Sequence, residues 1–293
     1  MTQYSSPLRY PGGKQKLAPF ILELIKRNNM EGCHYAEPYS GGAGVAIELL
    51  MHGYISHAHL NDKSFPIHAF WRSVLYKTEE FCKLVSDTPV TITEWRKQRQ
   101  ILNQPWSHSS LEVGFSLFYQ NRANHSGIPT GGPIGGYNQR GKWKLDARFY
   151  KRELIRRIMA IAEKRAYITL RNWDAERFML EHVRHLGPKP LTYCDPPYFN
   201  KAQRLYLNTY QPSDHARIAR VLQDSLGQPW VLSYDSCPEI VGLYPERVSF
   251  EYFLPYTAAG VRQGREIVVI SDQLRLPKTS SIRYINDGLC AAA

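Results

Sequence analysis

The sequence predicts an α/β fold built on a doubly wound, mostly parallel sheet, with a closing antiparallel hairpin and a mainly helical and loop-containing insertion. Three observations lead to this prediction. Short apolar segments alternate with helical segments, the alternation stops over residues 89–149 and then resumes, and the last two apolar segments are joined without a helix. We therefore expect a discontinuous core over 1–88 and 150–277, the insertion at 89–149, and a loosely held tail at 278–293, which lacks a periodic apolar pattern.

The first part of the core alternates regularly between the two kinds of element. Apolar residues recur at helical spacing in the helices, and the strands are short apolar runs that end at Pro, Asn or Asp. In chain order we expect a helix at 15–28, a strand at 33–37, a helix at 45–51, a strand at 57–61 and a helix at 65–76.

The insertion is interrupted by Gly and Pro, whereas the second part of the core again alternates strands and helices. Within the insertion we expect helices at 93–102 and 111–122, then a long loop at 125–145 that Gly and Pro interrupt repeatedly, and loops of this length are usually functional or disordered. The alternation then resumes. In chain order we expect a helix at 147–164, a strand at 166–170, a helix at 174–184, a strand at 191–194, a helix at 213–226 and strands at 229–234, 248–254 and 266–271.

The charge distribution predicts an anionic polymer as partner. The chain carries a formal net charge of +11, although its 43% hydrophobic and 22% charged residues are ordinary for a globular protein. Residues 89–152 contain ten Lys or Arg and three acidic residues, so most of the excess lies in one segment. This concentration favours a binding surface over a generally basic surface.

Cysteine usage and hydropathy exclude several classes of protein. The five cysteines are scattered, and none of their spacings matches a zinc site, so we expect no metal and a reducing, cytoplasmic location. No apolar run approaches the length of a membrane span, so we expect no membrane partner.

The segment Asp195-Pro196-Pro197-Tyr198 is the most informative motif, and it follows a predicted strand. A carboxylate and a proline-stiffened carbonyl can accept the two hydrogens of a planar aromatic amine, while the Tyr198 ring stacks on the base. Such contacts localise the amine lone pair, which the ring otherwise delocalises. Alone, the tetrapeptide is equally compatible with a turn that ends a strand.

Two further strand ends carry candidate binding groups. Glu37 opens the segment Glu-Pro-Tyr-Ser-Gly-Gly-Ala-Gly, whose small residues allow close approach of a ligand, and Asp62 ends the next strand, where an acid can bind ribose hydroxyls. The segment is not the Gly-x-Gly-x-x-Gly of dinucleotide sites, so we do not expect a nicotinamide cofactor. A tight turn and a helix-capping Asp remain the structural alternatives. Lys14 follows a Pro-Gly-Gly turn that lacks the full phosphate-loop pattern, and we expect it to lie against a carboxylate or in solvent.

In combination, these motifs resemble the Dam-type, alpha-group DNA adenine methyltransferases. Tyr-Pro-Gly-Gly-Lys, the glycine-rich segment, Asn-Asp and Asp-Pro-Pro-Tyr occur in the order of that group, and the basic insertion lies between the glycine-rich and catalytic motifs as in its members. The resemblance extends over about residues 6–272. It implies the fold of the S-adenosyl-L-methionine-dependent methyltransferases, that cofactor as methyl donor, and the exocyclic amine of adenine in duplex DNA as target.

The resemblance also implies roles for individual residues. Asp195, Pro196, Pro197 and Tyr198 match the catalytic motif, and Asp195 also lies at the cofactor. The residues implied to bind the cofactor are Tyr10, Lys14, Glu37, Tyr39, Ser40, Gly41, Gly42, Ala43, Gly44, Asp62, Trp173 and Asp174. The residues implied to contact DNA are Arg122, Asn124, Ser126, Gly127, Gln139, Arg140, Lys142 and Lys144.

Some alternatives stay open at this point. Arg122 and Asn124 suit guanine and adenine edges, but such an Arg often contacts phosphate and such an Asn often forms turns. RNA adenine or a protein amide is an alternative substrate for the same catalytic motif, and a non-catalytic DNA-binding module is a different class of function. The recognition sequence, the oligomeric state and an association with a restriction or phage-defence system are left open.

Overall fold

A computed structural model describes residues 6–9, 14–187, 190–199, 210–235, 237–255, 263–277 and 282–286. Eight strands in these ranges form one sheet. They are β1 (His34–Glu37), β2 (His57–Asn61), β3 (Ile168–Arg171), β4 (Leu191–Cys194), β5 (Trp230–Asp235), β6 (Ser249–Pro255), β7 (Gln263–Ile270) and β8 (Ile282–Asn286).

The sheet has the order β3-β2-β1-β4-β5-β7-β6-β8. The strands from β3 to β5 pair in parallel, whereas β7 runs antiparallel to both β5 and β6. The prediction of a doubly wound, mostly parallel sheet closed by an antiparallel hairpin is therefore confirmed. The chain winds from β1 toward β3 on one side and from β4 toward β5 on the other, so a crevice opens beyond the carboxyl ends of β1 and β4, where such sheets bind ligands.

Helices cover both faces of the sheet. They are α1 (Ala18–Arg27), α2 (Gly44–Met51), α3 (Phe65–Tyr76), α4 (Thr78–Asp87), α5 (Ile92–Asn103), α6 (Ser110–Ala123), α7 (Lys151–Glu163), α8 (Ala175–Glu181), α9 (Pro212–Arg220) and α10 (Pro238–Val241). Neighbouring strand residues belong to different apolar clusters, as for Tyr35 and Ala36 or for Val231 and Leu232. Side chains alternate across a strand, so both faces of the sheet are buried, as expected for a parallel sheet.

Two helices differ from the sequence prediction. The sequence does not predict helix α4, because in its ten residues only Phe81 and Val85 are buried and the apolar pattern is correspondingly thin. The helix predicted at 213–226 is α-helical only as far as Arg220 and continues as a single π-helical turn over Val221–Ser225.

The helices of the predicted insertion share the main hydrophobic core. Phe118 of α6 stacks parallel to Phe70 of α3, with ring centroids 6.1 Å apart. Gly114 allows this close approach, because a Cβ atom there would lie 2.6 Å from the carbonyl oxygen of Ala69. Helix α6 is therefore a buried scaffold element rather than part of an exposed reading surface.

The C-terminal segment is more ordered than expected. Residues 282–286, which we predicted to belong to a loosely held tail, form β8 and pair antiparallel with β6. An edge strand is held by backbone hydrogen bonds on one side, so it does not require the alternating apolar pattern that predicts an internal strand.

Candidate active site

A cavity of about 400 Å³ opens at the carboxyl ends of β1, β2 and β4. Its lining includes Lys14, Glu37, Asp62 and Asp195, so the structure brings the predicted strand-end acids and the predicted lysine into one site. Arg9 and Arg122 also line it. The cavity therefore combines an acidic group of residues with a basic one.

The glycine-rich turn after β1 forms the floor and is held from two sides. Gly41 has a φ of 44° and Ala43 a φ of 45°, and both angles lie in the left-handed region that favours glycine. Trp71 Nε1 donates to the Gly41 carbonyl at 2.8 Å, while the Gly41 N–H donates to Asp62 Oδ2 at 2.9 Å. Ser40, Gly42, Ala43 and Gly44 line the cavity, whereas Gly41 serves as the anchor point of the turn.

Glu37 and Asp62 are buried acids at the strand ends. Burial raises the pKa of Glu37 to about 8, although the hydrogen bond from the Ala46 N–H opposes this rise and nearby Asp195 adds to it. Burial likewise raises the pKa of Asp62 to about 6 against hydrogen bonds from the Ser64 and Gly41 N–H groups. A cation bound in the cavity would lower both pKa values and favour the ionised carboxylates.

The cavity also contains unsatisfied polar groups that suit a nucleoside with an amino-acid chain. Ser40 Oγ and Ser64 Oγ are buried and have no hydrogen-bond partner among the described residues, and both serines line the cavity. Together with Asp62 they can meet ribose and amino-acid groups, while the glycine turn leaves room for a close approach. The residues present thus fit S-adenosyl-L-methionine.

Asp195 is held in place by a charged partner. Lys14 Nζ lies 2.9 Å from Asp195 Oδ1, and the Ser233 hydroxyl donates to the same oxygen at 3.3 Å. Burial would lower the pKa of Lys14, but the carboxylates of Asp195 and Glu266 outweigh burial and raise it well above its ordinary value. Lys14 thus lies against carboxylates, which agrees with the first of the two environments expected from the sequence.

Glu266 belongs to the same network and was missed in the sequence. It forms an ion pair with Lys14 and accepts a hydrogen bond from the Tyr198 hydroxyl at 3.1 Å. The Lys14 ammonium also lies 5.2 Å from the centroid of the Tyr198 ring. A signal was present, since Glu266 directly precedes the apolar run Ile267–Ile270 of a predicted strand, but an acid at the start of a strand is not specific enough to assign a role.

The remaining motif residues take supporting positions. Pro196 and Tyr198 are buried, and Pro197 lines the cavity. Burial raises the pKa of the neighbouring Cys194 thiol, and Asp195 adds to this rise, so Cys194 is a packed strand residue rather than an activated nucleophile. Tyr39 lines the cavity and its hydroxyl lies 3.0 Å from that of Tyr210.

Trp173 and Asp174 lie at the end of β3 but do not line the cavity. The Trp173 ring packs against two arginines, 5.3 Å from the Arg171 guanidinium and 4.4 Å from that of Arg177. Asp174 caps helix α8 through the Glu176 N–H and pairs with Lys63 at 3.2 Å. A cofactor contact by Trp173 or Asp174 stays a prediction.

Two of the predicted DNA contacts, Arg122 and Asn124, are buried in this conformation, and their contact with DNA stays a prediction. The side-chain polar atoms of Asn124 are used inside the protein: Oδ1 accepts from Trp95 Nε1 at 2.7 Å, and Nδ2 donates to the Ile128 carbonyl at 2.9 Å. Arg122 is 8% exposed and donates to the carbonyls of Arg148 and Pro7. In this conformation neither side chain has the exposure that reading a base edge requires.

Gly127, a third predicted DNA contact, is also buried and packs against Arg9. The Asn121 amide accepts from the Arg9 N–H at 2.7 Å and donates to the Arg9 carbonyl at 2.6 Å. Gly127, with a φ of 75°, lies so close that a Cβ atom would approach the Arg9 carbonyl oxygen to 2.5 Å. The Asn-Arg-x-Asn-x-x-Gly pattern therefore holds the backbone of Arg9 in place.

The other predicted DNA contacts lie on or beside an exposed loop. Arg140, Lys142 and Lys144 are exposed, and Ser126 is exposed where it lines the cavity. Gln139 instead shapes the loop, because its amide donates to the carbonyls of Ile134 and Gly136 and accepts from the Leu145 N–H. Residues 136–144 are named the basic loop below.

Tyr10, a predicted cofactor contact, lies outside the described ranges. Among the residues that the structure does describe, no group of His, Cys, Asp and Glu is arranged to hold a metal ion. None of the helices in those ranges has the length and apolar character needed to cross a bilayer.

Two solved structures of one methyltransferase resemble the chain distantly. The rRNA methyltransferase AviRa from Streptomyces viridochromogenes, solved at 2.4 Å, has 12% sequence identity and a TM-score of 0.38, and the match covers 89% of this chain and 85% of that one. The 1.5 Å structure of the same protein gives 12% identity and a TM-score of 0.37, covering 89% of this chain and 86% of that one.

The sequence itself identifies the family. Comparison with curated proteins gives no significant match. The family model described as "D12 class N6 adenine-specific DNA methyltransferase" matches residues 10–254, which includes the glycine turn, the basic segment and Asp-Pro-Pro-Tyr. The chain belongs to the D12 class N6 adenine-specific DNA methyltransferases, a family of enzymes that methylate adenine in DNA.

Proposed function

We propose that the protein transfers a methyl group from S-adenosyl-L-methionine to the exocyclic amine of an adenine that has left the stack of duplex DNA. The observation that supports this most directly is one cavity that joins the glycine turn and Asp62 to Asp195 and Lys14. A donor and an acceptor must meet in such a cavity for direct transfer, and holding two reactants together supplies up to roughly 7–11 kcal/mol of the barrier in favourable cases.

The donor half of the cavity is proposed to hold S-adenosyl-L-methionine through Ser40, Gly42–Gly44, Glu37 and Asp62. Bound there, the donor supplies an electrophilic methyl group on a sulfonium. Asp62 would accept hydrogens from ribose hydroxyls while keeping its bonds from the Gly41 and Ser64 N–H groups, since each carboxylate oxygen can accept more than one hydrogen bond.

The acceptor half is proposed to act on the amine through Asp195. Its carboxylate and the Pro196 carbonyl would accept the amine hydrogens and draw the lone pair out of the ring system. Asp195 can then hold the proton that the nitrogen loses on methylation. Tyr198 would stack on the base, with its ring held by the hydroxyl contact to Glu266.

DNA is proposed to bind along the basic loop. Arg140, Lys142 and Lys144 are exposed there and can contact phosphates, which makes affinity dependent on salt. Ser126 is exposed beside the cavity, where an extruded nucleotide would enter. Action in the cytoplasm and an association with a restriction or phage-defence system are parts of the proposal that rest on the family resemblance.

The decisive experiment measures transfer of a radiolabelled methyl group from S-adenosyl-L-methionine to DNA, RNA and protein side by side. Label is expected on the amine of adenine in duplex DNA. DNA that contains 2-aminopurine at the target position should also gain fluorescence on binding, because the base leaves the stack. Label on RNA or protein alone, or DNA binding without a fluorescence change, would refute the corresponding part of the proposal.

A further inference from the structure

Glu266 is a buried charge on strand β7, directly before the apolar half of that strand. It lies on β7 opposite Asp235 of β5 and Tyr252 of β6, and it is 2% exposed. The next four residues, Ile267–Ile270, are all buried and apolar. Burying a carboxylate costs several kcal/mol unless charged partners and hydrogen bonds compensate, so its position calls for an explanation beyond packing.

The contacts of Glu266 fit the ionised carboxylate. Oε1 accepts from the Tyr198 hydroxyl, and Oε2 faces the Lys14 ammonium. Both oxygens thus act as acceptors, as in the ionised form. Lys14 therefore stands between two carboxylates, those of Asp195 and Glu266. One ammonium does not neutralise both, and burial, together with the Asp195 carboxylate, raises the pKa of Glu266 against the opposing effect of Lys14. With both carboxylates ionised, this corner of the cavity carries an excess of one negative charge.

The excess charge distinguishes the two forms of the cofactor. S-adenosyl-L-methionine carries a positive sulfonium, whereas S-adenosylhomocysteine, which remains after methyl transfer, has a neutral thioether. A fixed negative charge in a region of low dielectric favours the cation over the neutral product. Because the Glu266 carboxylate can balance the Lys14 ammonium, the Asp195 carboxylate stays available to accept hydrogens from the amine.

Glu266 also offers Lys14 a second acceptor when Asp195 binds the amine. In this structure Lys14 and Ser233 both contact Oδ1 of Asp195. When an amine approaches Asp195, the Lys14 ammonium needs another acceptor in the buried site, and Glu266 already supplies one. The same carboxylate holds the Tyr198 hydroxyl, so its position couples the lysine to the ring that would stack on the base.

We propose that Glu266 is a positioning residue of the methyl-transfer site, which holds Lys14 and Tyr198 in place while Asp195 binds the amine. Glu266 also supplies the negative charge that favours the cationic donor over the neutral product. The inference rests on the proposed function. Glu266 acts through Lys14 and Tyr198 and through its charge, and it is not assigned a contact with the reacting atoms.

The test compares Glu266→Gln with Glu251→Gln, a change of the same kind on the neighbouring strand β6 at a half-buried site. Dissociation constants for S-adenosyl-L-methionine and S-adenosylhomocysteine are measured by calorimetry without DNA. We expect Glu266→Gln to weaken donor binding about tenfold and product binding much less. The Glu251 variant should leave both unchanged. Equal weakening of both ligands, or no weakening, would overturn the charge role.

Two further variants separate charge from position and provide for a Gln variant that fails to fold. Glu266→Asp keeps the charge but shortens the reach, so it should retain donor selectivity and lower the single-turnover methylation rate. Tyr198→Phe should also lower that rate without changing selectivity. Loss of selectivity in either variant contradicts the proposal. A wild-type protein that binds both ligands selectively but does not methylate DNA would refute the proposed function and leave this charge effect standing.

Discussion

Two charged regions of the molecule differ in almost every physical respect. The network of Lys14, Ser233, Asp195, Tyr198 and Glu266 is largely buried, and ion pairs and hydrogen bonds within 3.3 Å fix its members. The basic loop carries its Arg and Lys side chains in solvent. The first region suits chemistry that requires fixed geometry, and the second suits attraction to a polyanion, which needs charge more than position.

A third group of residues combines properties of both regions: its side chains resemble those that contact DNA, but they are buried like the network around Asp195. Arg122 and Asn124 have the side chains of base-reading residues, yet both are buried and bonded to carbonyl groups. Burial disfavours the Arg122 charge, and together with neighbouring Arg9, Arg157 and Arg148 it lowers the pKa of Arg122 to about 9. The burial of a side chain, and not its residue type, thus distinguishes a residue that holds the protein backbone from one that is free to contact a base.

The largest expected effect is at Asp195. Asp195→Ala should lower methyl transfer by about 10²–10³-fold or more, because the amine no longer has an acceptor for its hydrogens. Donor binding should weaken about tenfold at most, as in Glu266→Gln, because the same excess negative charge is lost while Lys14 keeps Glu266 as a partner. Radiolabel transfer and calorimetry measure the two quantities, with Asp195→Asn as the isosteric control. Normal turnover in the Ala variant would contradict the catalytic assignment.

The basic loop should affect DNA binding without affecting the fold. Replacing Arg140, Lys142 and Lys144 together by Ala should weaken DNA binding. It should also flatten the salt dependence, by roughly 0.9 in log–log slope for each phosphate that the variant no longer neutralises. Fluorescence anisotropy at several salt concentrations gives the slope.

A matched control keeps the change in net charge the same. Lys26, Arg27 and Arg220 are exposed on α1 and α9, and their joint replacement by Ala removes three charges elsewhere. If both triple variants lowered the slope equally, the loop would be only one part of a diffuse positive field.

The anchoring role of Asn124 predicts a loss of stability. Asn124→Ala leaves the buried Trp95 indole N–H and the Ile128 carbonyl without this partner, which should lower the free energy of unfolding by about 1–3 kcal/mol. Asn138→Ala, in the exposed basic loop, should change it by less than about 0.5 kcal/mol. Urea titration measures both. Unchanged stability with loss of DNA binding in Asn124→Ala would restore the base-reading interpretation.

These contrasts show what the sequence can and cannot predict. The alternation of strands and helices predicts the fold class, and because parallel strands end at one edge, Glu37, Asp62 and Asp195 could be grouped from their strand-end positions alone. Glu266 reaches the same site from an antiparallel strand, which follows no such rule. The burial of Arg122 and Asn124 could not be predicted, because it depends on α6 packing into the core, and the mixed apolar and polar sequence of that helix does not reveal this packing.

The last expected effect concerns Glu37 and the pH dependence of stability. Its pKa is about 8 in the fold and ordinarily 4.5, so the unfolded chain loses this proton at lower pH than the folded protein. Stability from this group is complete below about pH 4.5 and is lost as the pH rises toward 8. Glu37→Gln removes the titration, so the donor-free variant should be more stable than wild type by about 4 kcal/mol at pH 8 and nearly equal to it at pH 4.5. Thermal melting at the two pH values measures the difference. Glu31→Gln, at an exposed site, is the control.

The gain in stability should be accompanied by weaker binding of S-adenosyl-L-methionine, because a cation bound near Glu37 favours its ionised form. Calorimetry on Glu37→Gln and on the Glu31→Gln control measures this difference. A Glu37 variant that gained stability at pH 8 and bound the donor as well as wild type would remove Glu37 from the donor site and confine the charged chemistry to the network around Asp195.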